Sequence, residues 1–175
     1  MRVMMKMWTG GLVVAFLVSV ATPGRAQVTP TRLYNCFSPV EQFADIQITL
    51  VGTAEKMEIT KAEILDFARK EFDERFGTLR LENLDVAALE GNKEEAKKTG
   101  LLQFTIWTIN EKYPVVFLIE GRAGSAQCLF EGREFYKISH LGYIPEVEVR
   151  NTSKDAIRDV IDKVAKKFHD LRFAP

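Results

Sequence analysis

Apolar and polar residues alternate with a period of two at the start of the main domain. Over residues 42–51 one face of this alternation carries Ala44, Ile46, Ile48 and Leu50, which predicts a half-buried first strand. Residues 101–109 and 115–120 are rich in β-branched and aromatic residues and flank a turn that ends at Pro114, so they predict a hairpin. More extended segments are expected near residues 127–130, 134–139 and 143–149.

The next pattern predicts an amphipathic helix. Thr60 and Glu63 form a capping box, in which each side chain can satisfy a free backbone N–H at the start of a helix. Apolar residues then recur at helical spacing from Ile64 to Phe76. Gly77 follows at the position where the chain commonly leaves a helix with positive φ. We therefore expect the first helix to end at Gly77.

A second amphipathic helix is predicted near the end of the chain, with Thr152 or Ser153 as its cap. One stripe of this helix is apolar and should pack on the sheet: Ile157, Val160, Ile161, Val164, Ala165, Phe168 and Leu171. The element order is then β-α-β-β-β-β-α. The simplest fold that buries both stripes is an α+β two-layer sandwich, with two helices on one face of a mainly antiparallel sheet of about five strands.

The other face of that sheet is a candidate binding surface. The predicted strand at 101–109 is apolar on both faces over part of its length, because Phe104 and Ile106 alternate with Trp107 and Ile109. Four aromatic residues in this region are candidates to line an apolar groove for a partner protein or an apolar small ligand: Trp107, Tyr113, Phe117 and Tyr143. Packing of the same residues in the core is the alternative.

The N-terminus has the three segments of a secretory signal peptide. Arg2 and Lys6 precede an uncharged run over residues 7–21, whose 15 residues fall short of a membrane-spanning helix. Gly24 and Ala26 then provide the small residues of a cleavage site. We predict a cleavable signal peptide at 1–26, an extended arm at 27–41 and a single α+β domain at 42–175. The mature protein would be periplasmic or secreted, with no permanent membrane anchor.

Charge and cysteine content fit this destination. The signal segment holds three basic residues and no acidic one, which leaves 21 basic and 24 acidic residues and argues against nucleic-acid binding. The two cysteines, Cys36 and Cys128, both follow residue 26. Because exported proteins fold in an oxidising compartment, we expect these cysteines to form a disulfide.

Catalytic motifs are scarce. The two histidines, His140 and His169, stand far apart and have no cysteine or histidine at metal-binding spacing, so no metal or cofactor is expected. Ser125 lacks the frame of a G-x-S-x-G nucleophile elbow. A small secreted hydrolase that uses His140 with Ser125 is therefore the alternative hypothesis, and no catalytic residue is assigned.

The favoured hypothesis is an exported, non-enzymatic domain that binds a partner protein or an apolar ligand through the second face of the sheet. Such a domain could be an accessory subunit of an envelope assembly. The charged, glycine-bounded stretch at residues 85–100 is expected to be a loop that could dock onto such an assembly.

Overall fold

The computed structural model describes residues 35–57, 59–133 and 136–172. The predicted signal peptide and most of the N-terminal arm lie outside these residues. The described chain forms one mixed sheet with two long helices and several short ones. The strands are β1 (Gln42–Ala44), β2 (Gln47–Gly52), β3 (Leu81–Glu82), β4 (Thr99–Ile109), β5 (Val115–Ser125) and β6 (Tyr136–Ile144). The long helices are α1 (Lys61–Phe76) and α5 (Val149–Arg172), and the short ones are α2 (Val86–Leu89), α3 (Lys93–Lys98) and α4 (Ala126–Phe130).

The sheet confirms the predicted fold class and adds detail that the pattern did not contain. Its order is β3-β1-β4-β5-β6, and β2 continues the position of β1 alongside β4. The two long pairings, β4 with β5 and β5 with β6, are antiparallel, whereas β1 and β2 run parallel to β4. The first predicted strand is thus split in two at Asp45 and Ile46, where the Asp45 carboxylate is held by Arg69 of α1.

Both long helices lie on one face of the sheet, as predicted, and their apolar stripes form the main core. The rings of Phe43, Phe72, Phe76 and Phe168 pack together at the centre, and all four are buried. Val160 of α5 lies over Gly121 of β5, where any Cβ would collide with it. Leu102, Phe104 and Ile106 of β4 and Ile119 of β5 complete this buried side of the sheet.

Local sequence signals predicted both ends of α1 correctly, but not the start of α5. The Thr60 hydroxyl accepts a hydrogen bond from the Glu63 N–H at 3.2 Å, and α1 ends before Gly77, whose φ is 59°. The start of α5 differs from the prediction. The helix already begins at Val149 after a 3-10 turn at Glu146–Glu148, and Ser153 lies buried inside it. Residues 146–149, expected to be extended, are therefore helical.

The other face of the sheet is covered at one end only. Residues 85–100, expected to be a loop, contain α2 and α3, which begin at the side-chain caps Asp85 and Asn92. Residues 127–130, expected to be a strand, belong to α4 because the Ser125 hydroxyl caps a helix there. A small second core forms beneath these three helices: Ala44, Leu89, Ala96, Leu101 and Ala126.

The predicted disulfide is present. Cys36 and Cys128 are bonded, with their Cα atoms 5.9 Å apart and a sequence separation of 92 residues. The bond joins the segment before β1 to α4 at the end of the sheet. Both cysteines are buried against the main core.

Candidate functional site

The uncovered part of the second sheet face carries a row of apolar side chains that crosses four strands. Val51 of β2 is in register with Trp107 of β4, Trp107 with Leu118 of β5, and Leu118 with Leu141 of β6. Residues in register on neighbouring strands point to the same face. The first three side chains are half-buried, and Leu141 is 73% exposed.

A second apolar row lies next to the first. Ile109 of β4 is in register with Val116 of β5, and Val116 with Tyr143 of β6. Ile109 is 63% exposed and Tyr143 is 73% exposed. We call the seven residues of the two rows the open-face patch: Val51, Trp107, Ile109, Val116, Leu118, Leu141 and Tyr143. An exposed apolar patch of contiguous residues is unusual for a monomer and commonly marks an interaction site.

Polar residues separate the open-face patch from the end of the sheet that α2, α3 and α4 cover. One polar row contains Thr49, Thr105, Glu120 and Ser139, and the next contains Gln47, Gln103, Arg122 and Lys137. The side-chain amide of Gln103 donates to that of Gln47 at 2.7 Å. The surface therefore changes from apolar to polar along the strands.

Glu120 anchors this polar region. Its side chain is only 7% exposed, and it forms ion pairs with Arg122 and Lys137, which are in register with each other in the next polar row. Burial would raise the pKa of Glu120, but the hydrogen bonds from Lys137 and Arg122, with their positive charges, outweigh burial and hold that pKa below its usual value. The carboxylate thus stays charged at neutral pH and holds the two cations in the polar row that lies beyond its own row from the open-face patch.

The four aromatic candidates from the sequence divide between different places. Trp107 and Tyr143 belong to the open-face patch, and Tyr113 is 73% exposed in the turn between β4 and β5. Phe117 is not part of this surface. It points to the helix-covered face, is 8% exposed and packs over Gly142, because odd and even positions of β5 face opposite sides of the sheet.

Sequence reasoning missed Val116 of the second row. It also missed the three aliphatic residues in the row of Trp107, Val51, Leu118 and Leu141, which carry no local signal beyond being apolar. Only the register between strands shows that they continue the row of Trp107. A search for aromatic residues alone could not find them.

The alternative catalytic pair is not assembled. His140 Nε2 lies 3.0 Å from Asp159 Oδ2 on α5, and the same carboxylate oxygen binds Lys163 at 2.6 Å. Ser125 caps α4 with its hydroxyl and is buried. Because His140 is in register with Ile119, six residues from Ser125 along β5, the two side chains are about 20 Å apart. His140 and Asp159 thus bridge β6 and α5 without the predicted nucleophile.

The described part of the chain offers few features of other kinds of site. No group of three or more histidine, cysteine, aspartate or glutamate residues there could hold a metal ion. Among the same residues, no helix is both long and apolar enough to cross a membrane. A cleft of about 820 Å³ lies beside Cys36 and Cys128, near the end of β5 that is remote from the open-face patch.

Comparisons with known proteins add a distant structural likeness. No model of a known protein family matches the sequence, and no curated protein is significantly similar to it. A solved structure of a PelC dodecamer from Paraburkholderia phytofirmans aligns with 76% of this chain and 90% of its own, at 11% identity and a TM-score of 0.43. A point variant of that dodecamer aligns with 76% of this chain and 92% of its own, at 9% identity and a TM-score of 0.41. Likeness at this level carries no argument about activity or assembly.

Proposed function

We propose that this chain is an exported, non-enzymatic domain that binds a partner protein through the open-face patch. The observation that carries the proposal is the apolar row that runs in register from Val51 through Trp107 and Leu118 to Leu141. Each apolar side chain left in water forgoes roughly 1.5–3 kcal/mol that full burial would provide. A sheet face that leaves several of them uncovered in one contiguous area is suited to a binding partner.

The shape of the surface favours a protein over a small apolar ligand. Small-molecule sites are concave and bury most of the ligand. The open-face patch is instead spread over four strands of an exposed sheet face, and α1 and α5 pack on the opposite face. Protein interfaces combine a central apolar area containing aromatic residues with a polar rim. Trp107 and Leu118 would form the centre here, and Glu120, Arg122 and Lys137 part of the rim.

Export rests on two independent features. Residues 1–26 have the composition of a signal peptide, and the Cys36–Cys128 disulfide fits an oxidising compartment such as the periplasm or the extracellular space. A partner would therefore be a soluble or membrane-attached protein of that compartment. An accessory role in an envelope assembly is one form that such binding could take.

Site-specific photo-crosslinking in the cells that make the protein tests the proposal. A photoreactive residue at Trp107 should give an adduct of discrete mass, because Trp107 lies inside the patch. The matched control places the same residue at Lys166, which is exposed on the outer side of α5 and should give no such adduct.

Competition makes the test specific for the surface. Excess purified wild-type protein should suppress the Trp107 adduct in envelope extracts, whereas the Trp107→Asp variant should not. Retention of the disulfide and of the unfolding midpoint in Trp107→Asp shows that the variant is folded. Equal adducts at both positions, or competition by Trp107→Asp as strong as that by wild type, would exclude the open-face patch as the binding site.

A further inference from the structure

Strand β6 is an edge strand that its own chain leaves incompletely covered on both faces. Within the described residues it pairs with β5 alone, and none of its nine residues is buried. Its residues are nevertheless largely apolar: Tyr136, Ile138, Leu141, Tyr143 and Ile144. By contrast, the residues of β4 and β5 that face the long helices are buried, as Ile106 and Ile119 illustrate. β6 therefore has the composition of an interior strand in an edge position.

The edge of β6 also lacks the usual protection against pairing. Natural edge strands are commonly short, or they carry prolines, bulges or several charges that stop another strand from adding. β6 keeps continuous register with β5 from Tyr136 to Ile144, and its first proline, Pro145, comes after the strand. The opposite side of the sheet is interrupted instead, because β3 has two residues and β1 and β2 are separated by Asp45 and Ile46.

The charges of β6 are balanced within the chain. Lys137 binds Glu120 of β5, and His140 lies 3.0 Å from Asp159 of α5. Each basic group thus already faces an acidic partner. Like charges placed opposite each other in a sheet are destabilising. A second β6 could approach without an uncompensated repulsion of this kind, so the strand is electrostatically compatible with itself.

We propose that two copies of this chain pair through their β6 strands, antiparallel about a two-fold axis that passes near His140 and is perpendicular to the sheet. A strand paired with itself in this way makes an isologous interface, the arrangement most common in soluble dimers. The unpaired N–H and C=O groups of both edges become bonded. Ser139 then lies opposite Leu141 of the second copy, and Lys137 opposite Tyr143.

One consequence connects this interface to the open-face patch. Because the axis is perpendicular to the sheet, the second faces of both copies point in the same direction. Leu141 of one copy then lies diagonally across the axis from Leu141 of the other, so the two patches adjoin at these leucines and extend from the axis in opposite directions along the strands. The dimer does not depend on the proposed function, since β6 can pair whether or not Trp107 contacts another protein.

Cross-linking of single introduced cysteines tests the geometry. The native cysteines are joined to each other, so an added thiol is the one free thiol of the mature protein. Ser139 is exposed beside the proposed axis, and Thr49 is exposed on β2, at the opposite side of the same sheet face. After folding, Ser139→Cys should be converted to a covalent dimer by a short thiol-to-thiol cross-linker, because diagonal neighbours across antiparallel strands lie roughly 7–8 Å apart. Thr49→Cys should form no covalent dimer under the same conditions.

Light scattering on the purified mature protein supplies the independent measurement. Wild type and Trp107→Asp should both have the mass of a dimer at micromolar concentration. Tyr143→Lys should reduce the dimer to monomer, whereas Ile109→Lys, which adds the same charge at an exposed site away from β6, should not. A wild-type mass equal to the monomer would overturn the proposal, and so would efficient cross-linking between Ser139→Cys and Thr49→Cys, which indicates head-to-tail assembly. Failure of the Trp107 photo-adduct with an intact dimer would refute only the proposed function.

Discussion

Removal of the Cys36–Cys128 disulfide should destabilise the domain by a large part of its total stability. The bond closes a loop of 92 residues. In the chain-entropy description, a loop of this length restricts the unfolded chain enough to stabilise the native state by roughly 4–5 kcal/mol. Single domains are typically stable by about 5–15 kcal/mol. The reduced protein should therefore be marginally stable.

Urea unfolding followed by tryptophan fluorescence measures this effect. Trp107 is the one tryptophan after residue 26, so its emission reports on the sheet of the mature protein. With a denaturant slope of about 2 kcal/mol per molar urea, loss of the disulfide should lower the unfolding midpoint by roughly 2 M. The double variant Cys36→Ala/Cys128→Ala should show this shift plus a smaller cost for the buried sulfur atoms that it removes.

Reduction of the wild type separates the two contributions. A reductant removes the cross-link and keeps both sulfur atoms, so the reduced protein isolates the effect of loop closure. The double variant serves as the control, because the reductant should not change its midpoint. A loss below about 1 kcal/mol in the reduced protein would contradict the entropic estimate. It would mean that packing of the segment before β1 holds it in place without the bond.

Three other changes probe the faces of the sheet and the first helix. Gly121→Ala should cost roughly 1–3 kcal/mol in urea unfolding because its methyl group would collide with Val160. Gly91→Ala, whose methyl group would meet only the Ala88 carbonyl oxygen at an ordinary contact distance of 3.8 Å, should stay within about 0.5 kcal/mol of wild type. Glu120→Gln should cost about 1.5–3 kcal/mol at pH 7. Because the folded pKa of Glu120 is lowered, this difference should persist above the unfolded pKa of about 4.3 and disappear in thermal melts as pH falls through the folded pKa. Thr60→Ala should cost about 1 kcal/mol by removing the cap of α1, with reduced helicity in circular dichroism if the helix start frays.

Elements with strong local signals were predictable from the sequence. Helix α1 has a capping box at its start and Gly77 at its end, and both act within a few residues. The hairpin of β4 and β5 is likewise local, because its strands are separated by one short turn. The predicted start of α5 was wrong because burial of a side chain outweighed a local capping signal. Ser153 is a good capping residue, but the helix extends back to Val149, whose side chain is completely buried in the core.

The short helices show a different limit. Residues 85–100 were predicted as a loop because their many charged residues are typical of an exposed segment. The few apolar residues among them are nevertheless the ones that the fold buries. Leu89 and Ala96 are buried against Leu101 of β4 and Ala126 of α4, which belong to other elements of the fold. Their burial stabilises turns that would be too short to persist as isolated helices.

The sequence by itself determined the fold class, the disulfide partners and the presence of apolar residues on both faces of one strand. Composition, periodicity and the count of two cysteines were enough for these, because each depends on residues that are close in sequence or on a single possible pairing. The tertiary structure decided which residues share the open face, since Val51, Leu118 and Leu141 meet Trp107 only through the register of four strands. It also decided that β6 lies at the edge. Register and strand order arise from contacts between distant residues, and periodicity along one strand contains no information about them.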